Sequence, residues 1–162
     1  MLERFNADEV FDMAVRIETN GAAFYRKAAA LQEDEENSNF LNGLARMEDR
    51  HKKTFEDMRH AFTEKGMGEE TFDPDGEGSA YLHALADVHG GEGSPKIADS
   101  LTGNESMKEI LDIALGLEKK SILYYVGLKE LVPQSLGKDN IDKIIAEEHK
   151  HVAQITKILL NR

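Results

Sequence analysis

Residues 44–55 read LARMEDRHKKTF, and residues 144–155 read IIAEEHKHVAQI. Each stretch contains Glu-x-x-His: Glu48 with His51, and Glu148 with His151. Leu44 and Phe55 surround the first pair and Ile144, Val152 and Ile155 the second, at helical spacing. Residues three apart share a helix face, so each Glu and its His point the same way, into an apolar stripe. One Glu-x-x-His carries little weight in a chain with 31 acidic residues and six His. Two of them one hundred positions apart carry far more.

The hundred-residue offset extends beyond these stretches. It places Asp12 on Asp112, Ala14 on Ala114, Glu18 on Glu118, Tyr25 on Tyr125 and Leu31 on Leu131. It also matches Val10 with Ile110, Ile17 with Leu117, Leu44 with Ile144 and Phe55 with Ile155. Such a pattern predicts a duplicated helical hairpin whose copies pack about a pseudo-two-fold axis, with residues near the axis forming a symmetric site.

Four segments carry helical periodicity, and none shows the period-two alternation of a strand. The first runs from about Ala7 to Leu31, with Asn6 and Glu9 as a capping box and Val10, Ala14, Ile17, Gly21, Phe24 and Ala28 inward. The second runs from about Ser38 to Lys65, with Leu41, Leu44, Phe55, Met58 and Phe62 inward and Gly66 as its stop. The third spans about Glu105 to Leu131, with a Ser106/Glu109 capping box and Pro133 beyond its end. The fourth spans about Asp139 to Leu160, with Ile141, Ile144, Val152, Ile155 and Leu159 inward. Short polar links within each pair imply antiparallel hairpins. Between the second and third helices lies a long Gly- and Pro-bearing stretch, about 66–104, with one short helix expected at 81–88. That length suits a crossover running along the bundle rather than a plain loop. The expectation is a single all-α domain over 1–162: a four-helix bundle of two repeated hairpins with a long crossover between helices 2 and 3.

Composition bounds the function. The net charge of −11 argues against nucleic acid, which needs a basic patch. No apolar run suits a membrane span, and the acidic N-terminus lacks the layout of a signal peptide, so a cytoplasmic location is expected. With no Cys there is no thiolate metal site and no thiol nucleophile.

Glu18 and Glu118 lie on the inner faces of the first and third helices, thirty residues before Glu48 and Glu148. At about 1.5 Å per residue, Glu18 lies roughly 20 Å from the end of its helix and Glu48 roughly 15 Å from the start of the next. In an antiparallel hairpin they reach similar heights, and the same holds for Glu118 and Glu148. Four Glu and two His should therefore meet in one layer. Read as ordinary surface acids, these Glu would not sit inside apolar stripes, because buried Glu is rare unless paired or bound to metal. Two divalent cations would balance four carboxylates, with neutral His as further donors. Carboxylates with some imidazole suit iron or manganese, whereas structural zinc prefers Cys and His in a tetrahedron. The other histidines fit surface roles. His149 points away from its neighbour Glu148, and His60 lies near a helix C-terminus. His83, Asp87 and His89 sit on or beside the short crossover helix.

One Glu from each of two helices and Glu-x-x-His from the other two is the donor set of di-iron and di-manganese carboxylate bundles of the ferritin-like type. Over nearly the whole chain the pattern resembles the rubrerythrin branch of that family. The resemblance implies a ferritin-like fold with two iron ions, manganese or zinc being possible substitutes. Glu48 and Glu148 would bridge, Glu18 and Glu118 would be terminal ligands, and His51 and His151 would each bind one ion. Tyr25 and Tyr125 match tyrosines that hydrogen-bond to ligand carboxylates, although a plain buried-aromatic role remains open for both. The resemblance further implies a homodimer and an oxidoreductase that reduces hydrogen peroxide or oxygen in oxidative stress. Two features depart from the family: no four-Cys rubredoxin module occurs in these residues, and Ser121 stands where rubrerythrins have an extra Glu. Electrons would then come from a separate donor protein such as a rubredoxin. Ferroxidase or other iron handling is an alternative, as is a non-catalytic bundle held together by metal.

Overall fold

The computed structural model describes residues 7–64, 73, 75–88 and 96–161. Among them the chain forms α1 (Ala7–Ala30), α2 (Glu35–Glu64), α3 (Glu77–Val88), α4 (Lys96–Ser100), α5 (Met107–Leu131) and α6 (Lys138–Leu160), with a 3-10 turn at Gln134–Leu136 before α6. No strand occurs among the described residues. Helices α1 and α2 pack as one hairpin, α5 and α6 as the other, and the hairpins meet through α1 against α5 and α2 against α6. This is a four-helix bundle with its long connection between α2 and α5.

The apolar stripes form two clusters. One gathers Val10, Phe11, Ala14, Phe55, Met58, Phe62, Tyr124, Tyr125, Leu128, Ile141 and Ile144. The other gathers Phe24, Tyr25, Ala28, Leu41, Leu44, Met107, Ile110, Leu111, Ala114 and Ile155. On every helix of the bundle the residues of one cluster precede the candidate ligands and those of the other follow them. The polar layer is thus held between two dry plugs. Burying these aromatic and aliphatic side chains contributes roughly 1.5–3 kcal/mol apiece, enough to impose a polar layer between them.

Local chemistry explains where the helices begin. Helix α2 starts at Glu35 rather than near Ser38 because the Asp34 side chain accepts a hydrogen bond from Asn37 N at 2.8 Å, a cap in the linking turn. Helix α5 starts at Met107, two residues later than expected, because Ser106 is the cap itself; the expected box with Glu109 is formed. The expected Asn6 cap and Gly66 stop lie outside the described residues. The crossover holds two helices rather than one. Helix α3 begins at Glu77, four residues earlier than expected, and packs on α5. Its approach depends on Gly127, where an added Cβ would stand 2.7 Å from Cε1 of Tyr81. Helix α4, which hydropathy did not suggest, lies against α1. Its five residues are too few to show a period, and it is held by packing Ile97 and Ala98 onto the second cluster.

The turn into α5 is tied by one carboxylate. Glu105 accepts from Thr102 N at 2.8 Å, Thr102 Oγ1 at 2.8 Å and Gly103 N at 2.9 Å. The hydrogen bonds from Thr102 hold its carboxyl down at about 2, against an ordinary 4.5. A depressed folded-state value means that this turn is fully tied above the ordinary value and released as pH falls from 4.5 towards 2. The Thr102 and Gly103 amide proton resonances should therefore titrate together with a midpoint near 2. In Glu105→Gln that titration should vanish; its persistence would mean that another group ties the turn.

Candidate metal centre

Glu18 from α1, Glu48 and His51 from α2, Glu118 from α5, and Glu148 and His151 from α6 converge in one layer, none of them more than 3% exposed. Glu148 lies at the middle. Its Oε1 is 3.2 Å from His51 Nδ1 and its Oε2 is 2.9 Å from His151 Nδ1, so each oxygen faces a different imidazole. Around His51 the next carboxylate is Glu18, with Oε2 at 3.6 Å from Nδ1. Around His151 they are Glu118 Oε2 at 3.4 Å and Glu48 Oε1 at 3.7 Å from Nδ1. The two rings face each other with centroids 5.9 Å apart and planes 26° apart, as a pseudo-two-fold relation requires.

Both tyrosines reach carboxylates of the opposite repeat. Tyr25 on α1 donates its hydroxyl to Glu118 on α5, and Tyr125 on α5 donates to Glu18 on α1. Each therefore anchors a carboxylate and links the two hairpins. Tyr124, in the position corresponding to Phe24, instead donates to the Val10 carbonyl at 3.0 Å.

Electrostatics dominate this layer. Burial pushes the Glu48 carboxyl well above the usual range, and the charges of Glu18, Glu148 and Glu118 push the same way. Burial likewise raises Glu18, and it lifts Glu118 to about 8 with help from the hydrogen bond to Glu148. Burial opposes ionisation of Glu148 too, but its close polar contacts with Glu118, His151 and His51 outweigh it and hold that carboxyl far below the usual range. Burial would lower both imidazoles, yet the carboxylates of Glu148 and Glu18 beside it push His51 up to about 11, and those of Glu118 and Glu148 push His151 up to about 9. Without a cation, protons therefore compensate the charge: they stay on carboxyls and make the imidazoles cationic.

The donors fit a pair of cations. Among the described residues, five buried side-chain atoms lack a hydrogen-bond partner: Glu18 Oε2, Glu48 Oε1, His51 Nδ1, Glu148 Oε1 and His151 Nε2. The first four are atoms that face one another across the cluster. Unpaired groups of this kind cost about 1–3 kcal/mol each, a cost that metal coordination removes. The donors divide into two overlapping sets, Glu18–Glu48–His51–Glu148 and Glu48–Glu118–Glu148–His151, each with its donor atoms within 4.8 Å of one another. Glu48 and Glu148 belong to both.

Three neighbours complete the surroundings. Glu147 was not singled out by its position, yet its Oε2 lies 2.7 Å from His51 Nε2. Its only sequence signal is that Glu doubles before His151, where the first repeat has Met47-Glu48. Gly21 sits against Glu48, where an added Cβ would stand 2.7 Å from Oε2. Ser121 is buried beside Glu118, but its hydroxyl donates to the Leu117 carbonyl of its own helix at 3.1 Å. His149 and His60 are exposed, His60 lying 3.6 Å from Glu64. The side chains of His83 and Asp87, and all of His89, lie outside the described residues.

A cavity of about 40 Å³ adjoins the layer on the α1–α5 side. Glu48, Glu118, Tyr25, Ser121, Asn20 and Gly21 contribute to its wall, together with Ile17 and Leu117, and Ile97 and Ala98 of α4 cover it. Among the described residues no helix is long and apolar enough to cross a membrane.

No family model matches the chain, and no curated protein matches it. Among solved structures it is similar to a Thermotoga maritima protein whose description as a ferritin-like diiron-carboxylate protein is itself provisional. The two share 23% identity over 96% of this chain and 95% of the other, with a TM-score of 0.70. That likeness shows the fold: this chain is a ferritin-like helical bundle.

Gly21→Ala separates fold from site. Alanine inside a helix is favoured over glycine by about 1 kcal/mol, and the obstructing atom is the end of a flexible side chain. The metal-free variant should therefore melt at or above the wild-type temperature. The displaced Glu48 carboxylate should weaken divalent-metal binding by about tenfold or more, the scale of losing a ligand's orientation. Calorimetric titration beside a melting curve measures both, and unchanged metal affinity would show that Glu48 does not need the space over Gly21.

Proposed function

We propose that this chain is a di-iron carboxylate oxidoreductase that reduces hydrogen peroxide or dioxygen with electrons from a separate donor protein, in the manner of rubrerythrins. The observation carrying this reading is the pairing of two overlapping donor sets with a very small cavity beside them. One water needs roughly 10–15 Å³, so a cavity of about 40 Å³ suits a molecule of two or three heavy atoms such as peroxide or dioxygen. The diiron-carboxylate description of the Thermotoga maritima protein supports the choice of iron.

In this reading Glu18 and His51 would hold one ion, Glu118 and His151 the other, and Glu48 and Glu148 would serve both. A bound ferrous pair would supply the two electrons that, with two protons, convert one peroxide to two waters. The protein's own part is placement. Tyr25 and Tyr125 hold the Glu118 and Glu18 carboxylates through their hydroxyls. Ile17, Leu117, Ile97 and Ala98 supply the apolar part of the cavity wall. Glu48 and Glu118 present their carboxylates to whatever enters it. These residues contain no Cys, so no rubredoxin-type centre lies among them, and a separate protein is the electron source in this reading.

Anaerobic loading should give two iron ions per chain, and Glu48→Ala or Glu148→Ala should abolish paired binding while His149→Ala does little. One equivalent of peroxide should then oxidise the loaded protein faster than dioxygen does, in a single burst followed by stopped-flow absorption. Continued consumption should begin only when rubredoxin and its reductase are added. Faster reaction with dioxygen and deposition of a mineral core would replace this reading with iron storage.

A further inference from the structure

The two donor sets have the same composition: one private Glu, one private His and the shared Glu48 and Glu148. A faithful duplication would make the two positions equal, so any difference must arise outside the donors. The surroundings of the two imidazoles do differ. Both turn Nδ1 towards the carboxylates. On the far side of its ring, His51 Nε2 meets Glu147 Oε2 at 2.7 Å. Glu147 reaches it from α6, across the interface between hairpins, and its side chain stays 41% exposed, so its charge is only partly desolvated. His151 Nε2 is buried with no hydrogen-bond partner. The repeat position that corresponds to Glu147 is Met47, whose thioether is a weak acceptor.

A neutral imidazole that coordinates through Nδ1 carries its proton on Nε2. A carboxylate accepting that proton fixes the tautomer and ring orientation and makes the coordinating nitrogen more basic; losing such a partner typically costs about 10–100-fold in metal affinity. We propose that the two metal positions are unequal by construction: Glu147 is a positioning residue for His51, and the position formed by Glu18, Glu48, His51 and Glu148 takes the first divalent cation. The His151 position, with the same donors and no such support, fills second. This inference rests on the di-metal reading above. It adds an order of loading and names the residue that sets it.

Charge repulsion between two ions alone would also separate two binding steps, so the test must move one step and spare the other. Anaerobic titration with Co(II), followed by calorimetry and by visible absorption, is expected to show two steps in the wild type. Glu147→Gln should weaken the first step by about 10–100-fold and leave the second within about threefold, while the metal-free variant melts as the wild type does. Met47→Glu, which gives the second repeat's imidazole the missing carboxylate, should strengthen the second step instead. In Zn(II)-loaded protein with ¹⁵N-labelled histidine, the His51 Nε2 proton should be slow to exchange in the wild type and fast in Glu147→Gln. A first step that does not move in Glu147→Gln, or a second step that moves in its place, overturns the inference and leaves the di-metal reading standing. A wild type that takes up no Co(II) overturns both.

Discussion

Four carboxylates confined to one dry layer are the constraint around which this bundle is organised. Two unit charges 4 Å apart repel by about 4 kcal/mol at an effective dielectric of 20, so four ionised groups in contact would outweigh the net stability of most domains. The layer persists only with compensating positive charge. In the metal-free protein that charge comes from protons held on Glu48, Glu118, His51 and His151. A pair of divalent cations fills the same role, and the unpartnered atoms of Glu18, Glu48, His51 and Glu148 already face inward to receive it. The two apolar clusters supply the stabilisation that holds the layer closed from either end.

Much of this could be read from residue order because the informative relations were local or repeated. Glu-x-x-His fixes two donors on one face by helical geometry alone, and the hundred-residue offset multiplies that relation by two. Depth along an antiparallel hairpin follows from counting residues. What could not be read depended on which helix faces which. The crossed hydrogen bonds, Tyr25 to Glu118 and Tyr125 to Glu18, require α1 to lie beside α5. Glu147 looks like one more surface acid until α6 is placed against α2. Helix α4 has too few residues for a period, and Ile97 and Ala98 acquire a role only through the cavity they cover. The start of α2 is hidden in the sequence because its cap, Asp34, lies in a run of acids where no single one stands out.

The duplicated hairpin explains why six donors meet, but the departures from duplication explain why the site has a front and a back. On the α1–α5 side, Gly21 leaves room for the Glu48 carboxylate, whereas its counterpart Ser121 fills its own space and bonds back to its helix. The cavity opens on that side and is covered by α4, an element with no copy in the other half. On the α2–α6 side the imidazoles stack, and there Glu147 stands without a counterpart. The cavity and the carboxylate behind His51 thereby lie on opposite faces of the layer.

That division has a physical logic. A carboxylate facing a cavity has room to change its angle; Glu48 borders the cavity, and so does Glu118, whose carboxylate Tyr25 holds from the other hairpin. An imidazole clamped from behind does not, and His51 is held between Glu148 on one edge and Glu147 on the other. Equal halves would have placed room and support on both faces alike. With only one imidazole supported on its far side, the two halves of the symmetric fold differ at His51 and His151. Three departures from the repeat carry that difference: glycine for serine at 21 and 121, methionine for glutamate at 47 and 147, and the crossover helix that has no copy.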